Sequence, residues 1–512
     1  MLFQKEEVLR SFIFHSVLLL LVFLWSCGQN QQAAQDAPPP DTSPDPPQTT
    51  SLPEPEYCID GKVAGVCPDI PHDITHKLNP GYRNLTETDQ FFFDNFSWQM
   101  FVGLNWPADA QGNPMAGTIG DHPNAPRVWE FYPSADSVFH VNAGLGGDCL
   151  AAATEEQKRV FHLISKGEQI GLADSLPELE INGILQATGQ PVIDRNLNFA
   201  LYDVVLNPTE VTYIQGKGLD TYEGQVKFKD SGEDISFPLG FYEVNETKTG
   251  GSVGAIEIKT AWRILDPSLG DDPSRFYTIE AKVVVSAEAS DSGEGFCFDA
   301  TLGLVGFHAI QRTTNPNPQN WMWATFEHVD NAPEAQNAED PTNTTITITD
   351  CQTPTDPGTT RWSFFNSECE GCATNEAPKP PYKWAATPPY ARNYATDGKY
   401  GTQVVRCWQI FTETQYMNQK FQEQLKGTVW ANYMLINTQW QFIPDSPPQN
   451  PQSAPTFLTN TTQETYIQIE GSGPKIGSCA DCHARAQTTA GQPANFSYTL
   501  GLAKKPKKAE EE

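Results

Sequence analysis

Thr278-Ile279-Glu280-Ala281-Lys282-Val283-Val284-Val285 decides the fold class of this 512-residue chain. Its odd positions are apolar, and Glu280 and Lys282 fall between them, which is the period of a strand with one face in a core. The β-branched run at its end suits a pleated surface better than a helix. Working outward, the same reading predicts strands over 199–206, 211–214, 225–229, 255–264, 276–286, 301–311, 321–329 and 344–349. Gly, Pro, Asn and Asp punctuate them. Helical spacing is rarer. It predicts a helix over 88–104, with Phe93, Phe96, Met100 and Leu104 on one stripe, and another over 154–166, opened by a Thr and Glu155-Glu156. A third runs from Thr414 to Lys426 and is closed by Gly427. The expectation is a mainly β or α+β protein: a large β-rich body with flanking helices.

Composition narrows the function classes. The chain holds 63 acidic and 33 basic side chains, a formal net charge of −30, and 11% of its residues are aromatic. That aromatic content is ample for a packed core. The acidity argues against nucleic-acid binding, which needs clustered Lys and Arg on phosphate. The basic run Lys504-Lys505-Pro506-Lys507-Lys508 is followed at once by Glu510-Glu511-Glu512, so 504–512 reads as a solvated charged tail.

The N-terminus reads as an address. Nine apolar residues, Val17 to Trp25, are too few to span a bilayer but suit a signal-peptide core. The ending Leu24-Trp25-Ser26-Cys27 resembles a bacterial lipobox, although Trp25 is unusual there. Residues 1–26 are then a lipoprotein signal peptide, and Cys27 carries a lipid that anchors the protein to a membrane. Gly28 after Cys27 favours the outer membrane, facing the periplasm or the cell surface. Residues 27–57, with Pro at 38, 39, 40, 44, 46, 47, 53 and 55, read as an extended tether. The β-rich body is placed at 58–350 and a C-terminal region at 351–503.

Export implies an oxidising compartment. Of 11 Cys, Cys27 is assigned to lipid and two belong to a motif. The remaining eight are Cys58, Cys67, Cys149, Cys297, Cys351, Cys369, Cys372 and Cys407, enough for four disulfides of unknown connectivity. Cys58 with Cys67 would close a local loop. Cys369-Glu370-Gly371-Cys372 is a CxxC without a following His, read foremost as disulfide partners.

The motif is Cys479-Ala480-Asp481-Cys482-His483, the CxxCH of c-type haem attachment. Two thiols one short turn apart can reach the two vinyl groups of a single porphyrin, and the adjacent imidazole falls under the iron. Cys479 and Cys482 are therefore the expected thioether residues of one haem c, and His483 its axial ligand. The competing reading, a zinc site, needs a second ligand pair such as Cys369/Cys372. Only 29 residues follow His483, with neither Met nor His among them. A second protein ligand must come from upstream, so the haem segment is expected to dock on the large body. His308 is the first candidate for the second ligand; strict alternation from Leu302 through Leu304 to Ile310 would point it inward. The alternatives are His328, Met434 in the strand read over 429–437, and Met417 on the helix with Phe421 and Leu425. A five-coordinate iron also stands open.

Three stretches carry a family resemblance: Phe93-Asp94-Asn95-Phe96-Ser97-Trp98-Gln99-Met100-Phe101-Val102-Gly103-Leu104-Asn105-Trp106-Pro107, then Gly306-Phe307-His308 with the run Trp321 to Pro333, then Ser478 to His483. Over about residues 80 to 500 the chain is similar to large secreted bacterial proteins of the cytochrome c family with a single C-terminal haem motif. The resemblance implies haem binding and electron transfer, but no substrate. Two function classes follow. One is an exported, membrane-anchored monohaem electron-transfer protein, whose acidic surface would steer a redox partner with a basic face. The other is a haem-dependent oxidoreductase acting on a substrate, peroxide or oxygen. In it the body supplies polar groups such as Glu257, Lys259, Trp262 and Arg263, with His308, Glu327, His328 and Asp330. For these residues a solvated strand face or a hydrogen-bonded core network is the plainer reading.

Overall fold

The period-two stretch forms a strand, and the sheet it belongs to organises the molecule. The computed structural model describes residues 66–74, 87–141, 148–149, 151, 159–163, 169–170, 179–180, 190–243, 250–315, 321–341, 350–369, 372–378, 381–393, 403–441, 453–469 and 478–505. The expected leader, Cys27, the tether, Cys58, the strand over 344–349 and the end of the charged tail lie outside them.

Eight strands make one mixed sheet: β1 Arg159–Leu163, β2 Leu201–Leu206, β3 Ile256–Ile264, β4 Thr278–Val285, β5 Phe296–Arg312, β6 Trp321–His328, β7 Tyr433–Gln441 and β8 Ser453–Ala454. The 17-residue β5 is its spine. At Leu302 and Gly303 it is flanked by Ile264 and Arg263 of β3 on one edge and by Ile279 and Thr278 of β4 on the other. Beyond that point β6 replaces β4, β7 pairs with β6, and β8 pairs with β7. β2 pairs with β3, and β1 runs parallel to β4. The protein is thus β-rich with flanking helices, as its periodicity predicts. The sheet draws strands from both sides of residue 350.

Both faces are covered, so β6 is buried along its whole length. On one face lie α1 (Glu87–Leu104) and α4 (Thr412–Gln424). Trp98 of α1 stacks on Phe421 of α4 with ring centroids 5.0 Å apart, and Phe101 stacks on Phe326 of β6 at 4.2 Å. Polar side chains also bridge this face: Trp98 Nε1 donates to Asn418 Oδ1 at 3.0 Å, and Ser97 and Thr438 share a 2.7 Å bond. Each such aromatic buried contributes roughly 1.5–3 kcal/mol. Gly427, with φ +86°, lets the chain turn back just beyond α4. The opposite face is covered by α2 (Pro208–Gly216), α3 (Tyr222–Ser231) and the last described segment, 478–505.

Four local expectations are corrected. Residues 211–214 and 225–229 lie in α2 and α3, not in strands. Their β-branched and aromatic side chains mimic a strand, but the caps decide. Asn207 accepts from Glu210 N and is followed by Pro208; Thr221 caps α3, and Gly232 at φ +74° closes it. Within 154–166 the described residues 159–163 form β1, not a helix. There the parallel ladder with β4 and the Arg159–Asp203 ion pair at 2.6 Å outweigh local propensity. Finally, Val429–Asn432 is a 3₁₀ turn capped by Thr428, and the strand begins only at Tyr433.

Alternation along β5 is also interrupted. Ala261 pairs with Gly306 and Trp262 with Leu304, so Val305 is an extra, unpaired residue on that edge. The strict period from Leu302 therefore does not carry through to His308.

Candidate haem-attachment site

The CxxCH motif forms α5, the five-residue turn Cys479–His483. Ser478 caps it by accepting from Asp481 N, and both Ser478 Oγ and Ala480 N donate to Gln439 Oε1 of β7. Ala480, Ala486, Ala494, Leu500 and Ala503 are buried against Ile310 of β5 and Trp321 and Trp323 of β6. The small side chains of the four alanines let the segment lie close on the sheet. The motif thus docks on the large body.

His483 is fixed on three sides. Its Nδ1 lies 2.7 Å from the carbonyl oxygen of Phe496. A carbonyl only accepts, so Nδ1 carries the proton and Nε2 presents its lone pair. Trp323 lies edge-on with ring centroids 6.3 Å apart, and Tyr498 does the same at 5.0 Å. Burial holds His483 far below the ordinary histidine range, at about 4; the Phe496 carbonyl opposes this, and the charge of His308 reinforces it. The ring is neutral, the form that binds a metal.

Among the described residues, Cys479 and Cys482 are the only cysteines outside disulfides. Burial pushes both thiols up, so they are kept protonated and shielded from indiscriminate oxidation. Tyr498 Oη donates to the carbonyl of Cys482 at 2.6 Å and touches its sulfur at 3.7 Å. Two free thiols on one helical turn, an imidazole with Nε2 unprotonated and a wall of Trp323, Phe496 and Tyr498 fit a covalently held haem. The zinc alternative loses its second ligand pair, because Cys369 and Cys372 are joined to each other. Cys149–Cys297 and Cys351–Cys407 are also disulfides, and Cys67 is disulfide-bonded.

Of the upstream candidates, the fold brings His308 to this site. Its Nε2 lies 3.0 and 3.1 Å from the two carboxylate oxygens of Glu464, and its Nδ1 lies 2.6 Å from Thr325 Oγ1. Thr325 Oγ1 also accepts from Asn460 Nδ2 at 3.2 Å. Lys259 is the cross-strand partner of His308 and sits with Nζ 5.1 Å over the Tyr202 ring. Burial lowers Lys259, opposed by Glu464 and Cys482. Burial alone would raise Glu464, but His308, Lys259 and the Asn460 N–H hold it below the usual carboxylate range. Gly306, two residues from His308 on β5, leaves room for the 459–465 loop that bears Glu464: a Cβ there would crowd Thr462 Oγ1 and lie 3.1 Å from Gln463 Nε2.

The other candidates lie elsewhere. His328 stacks on Phe276 at 4.0 Å, and both its nitrogens are engaged, Nε2 by Arg275 O at 3.0 Å and Nδ1 by Asp330 N at 3.1 Å. Asp330 itself pairs with Arg275 at 2.6 Å. Met417 is buried on α4, and Met434 is half-buried opposite Glu327. Trp262 packs among Trp129 and Tyr277, and Arg263 belongs to a separate buried network with Asp194 and Asp271. Glu327 is paired with Arg406 at 2.8 Å.

No protein-family model, curated protein or solved structure matches this chain.

Glu464, Thr325, Phe496, Tyr498 and Gln439 were not singled out from the sequence. They lie far apart along the chain or carry no local pattern, and only the sheet register and the loop over Gly306 assemble them.

Proposed function

We propose that this protein is an exported monohaem c-type cytochrome-like protein acting in electron transfer, anchored through Cys27 to the outer membrane, with Cys479 and Cys482 as thioether residues and His483 as axial ligand. Such a haem supplies a one-electron couple when bound. The observation that carries the reading is the Nδ1–H bond from His483 to Phe496, which orients an unprotonated Nε2 beside two free thiols on the same turn. The surrounding residues have distinct tasks. Trp323, Phe496 and Tyr498 exclude water, Gln439 fixes the start of the turn, and the −30 chain attracts a basic redox partner. The resemblance to secreted cytochrome c family proteins agrees with this. Protein matured in a host able to attach haem c should stain for haem on a denaturing gel and show a reduced-minus-oxidised c-type spectrum. Absence of both overturns the proposal.

A haem-dependent oxidoreductase is the second reading, favoured by the His308–Glu464–Lys259 group. An imidazole held between a hydroxyl and a carboxylate, with an ammonium alongside, is equipped to hold or move a proton at His308 Nε2. Tight binding of cyanide to the oxidised protein, lost in His308→Ala, would favour this second reading over the first.

A further inference from the structure

We propose that Glu210 and Glu257 form a proton-binding site against the haem segment, one proton being shared between the two carboxyls and taken up when the protein is reduced. The coupling half of this proposal rests on the haem reading above.

The site follows from how α2 begins. Asn207 caps the helix, and Glu210 stands three residues later, where a glutamate ordinarily reaches back to the N–H of the cap residue. Here that N–H donates instead to Ile256 O at 2.9 Å, while Asn207 Oδ1 accepts from Ile256 N and from Glu210 N. Glu210 is therefore left without its usual donor and turns toward the next residue of β3, Glu257, within hydrogen-bonding reach. Glu210 is fully buried and Glu257 nearly so, and neither oxygen of Glu210 nor Oε1 of Glu257 has a hydrogen-bond donor. Two ionised carboxylates can only accept, so facing each other in a dry place they repel; one proton turns the repulsion into a hydrogen bond.

The groups around the pair do not supply a cation. Ser497 of the C-terminal segment donates to Glu257, and the interactions acting on the two carboxyls come from each other, from Ser497 and from burial. Arg312 of β5 is turned to Asn495 Oδ1 at 3.0 Å and lies over Trp321. Lys259 on β3 lies over Tyr202. Burial pushes Glu257 up to about 7 and Glu210 well above its ordinary range. The pair also has a short route to the iron ligand: Ser497, which touches Glu257, directly follows Phe496, whose carbonyl holds His483 Nδ1. Reduction adds negative charge beside this segment, which favours the protonated carboxyl pair.

The test uses the full-length protein with Glu257→Gln and Glu210→Gln. The midpoint potential of the wild type should fall as pH rises through the neutral range, approaching about 59 mV per tenfold change in proton activity for one proton per electron. Both variants should flatten that slope. The infrared carbonyl band of a protonated carboxyl should grow on reduction at neutral pH in the wild type, and that growth should be absent from Glu257→Gln. Should either variant fail to fold, Ser497→Ala keeps both carboxyls and removes a donor, so the sloping region should move to higher pH. An unchanged slope in both Gln variants, or no growth of the protonated-carboxyl band on reduction of the wild type, overturns the proposal. Purified protein without haem but with the band would defeat the haem reading and leave the shared proton standing.

Discussion

The Nδ1 of His483 lies 2.7 Å from the carbonyl oxygen of Phe496, thirteen residues further along the chain. That bond fixes the imidazole tautomer before any metal is bound. It also ties the CxxCH turn to the segment that returns across the sheet through Asn495 and Ser497, so the geometry of the turn depends on tertiary packing.

Covalent attachment gives the first prediction. Cys482→Ser should weaken or abolish haem retention on a denaturing gel, whereas Cys369→Ser should leave it intact. Cys369 is bonded to Cys372, whereas Cys479 and Cys482 are free. Loss of the stain in Cys369→Ser, or its full retention in Cys482→Ser, would contradict the assignment.

A second prediction separates the upstream ligand candidates. Both nitrogens of each histidine are engaged, but His308 is held by Glu464 and Thr325 with its charge acting on His483, whereas His328 is held by Arg275 O and Asp330 N. His308→Ala should change the optical spectrum of the reduced protein. His328→Gln, Met417→Leu and Met434→Leu should not.

The pH dependence of stability gives a third. Burial lowers His328 to about 4 from its ordinary 6.5, so the unfolded chain binds more protons between those values. Stability is then fully present above the unfolded value and is lost as pH falls from 6.5 toward 4, by up to a few kcal/mol. Urea unfolding at a series of pH values should show a shallower acid loss in His328→Asn than in the wild type. Parallel curves would count against the buried neutral imidazole.

Glu327 supports a fourth. It pairs with Arg406 at 2.8 Å and accepts from both Thr461 N and Thr461 Oγ1 at 2.6 Å, with its side chain fully buried. Removing one partner strands a buried charge, so Glu327→Leu should lower stability by about 3–5 kcal/mol. Glu327→Leu with Arg406→Leu should lose less than the sum of the single changes in denaturant titrations. Because Thr461 lies in the loop bearing Glu464, Glu327→Leu should also disturb the His308–Glu464 contact, read from the histidine ring resonances.

Several features were legible without coordinates. The period of two at 278–285 and the long apolar runs at 255–264, 301–311 and 321–329 mark strands because a pleated surface buried on a core imposes that spacing. The stripe of Phe93, Phe96, Met100 and Leu104 marks α1 for the corresponding helical reason. Alpha2 and α3 escaped because Val211, Thr212, Tyr213 and Ile214 favour a strand locally. Asn207-Pro208 and Thr221 with Gly232 were the cap signals that would have found them.

By itself the sequence determined the chemistry that depends on adjacent residues: thiols at 479 and 482, an imidazole at 483, and the strand periods that make the protein β-rich. Covalent spacing and side-chain alternation are local, so they survive in one dimension. Tertiary structure alone decided the rest. It set the extra residue at Val305, the loop admitted over Gly306, the pairing of His308 with Glu464, and the meeting of Glu210 with Glu257. Those relationships join elements tens to hundreds of residues apart, and their energies come from burial and hydrogen bonding that exist only once the sheet has closed over them.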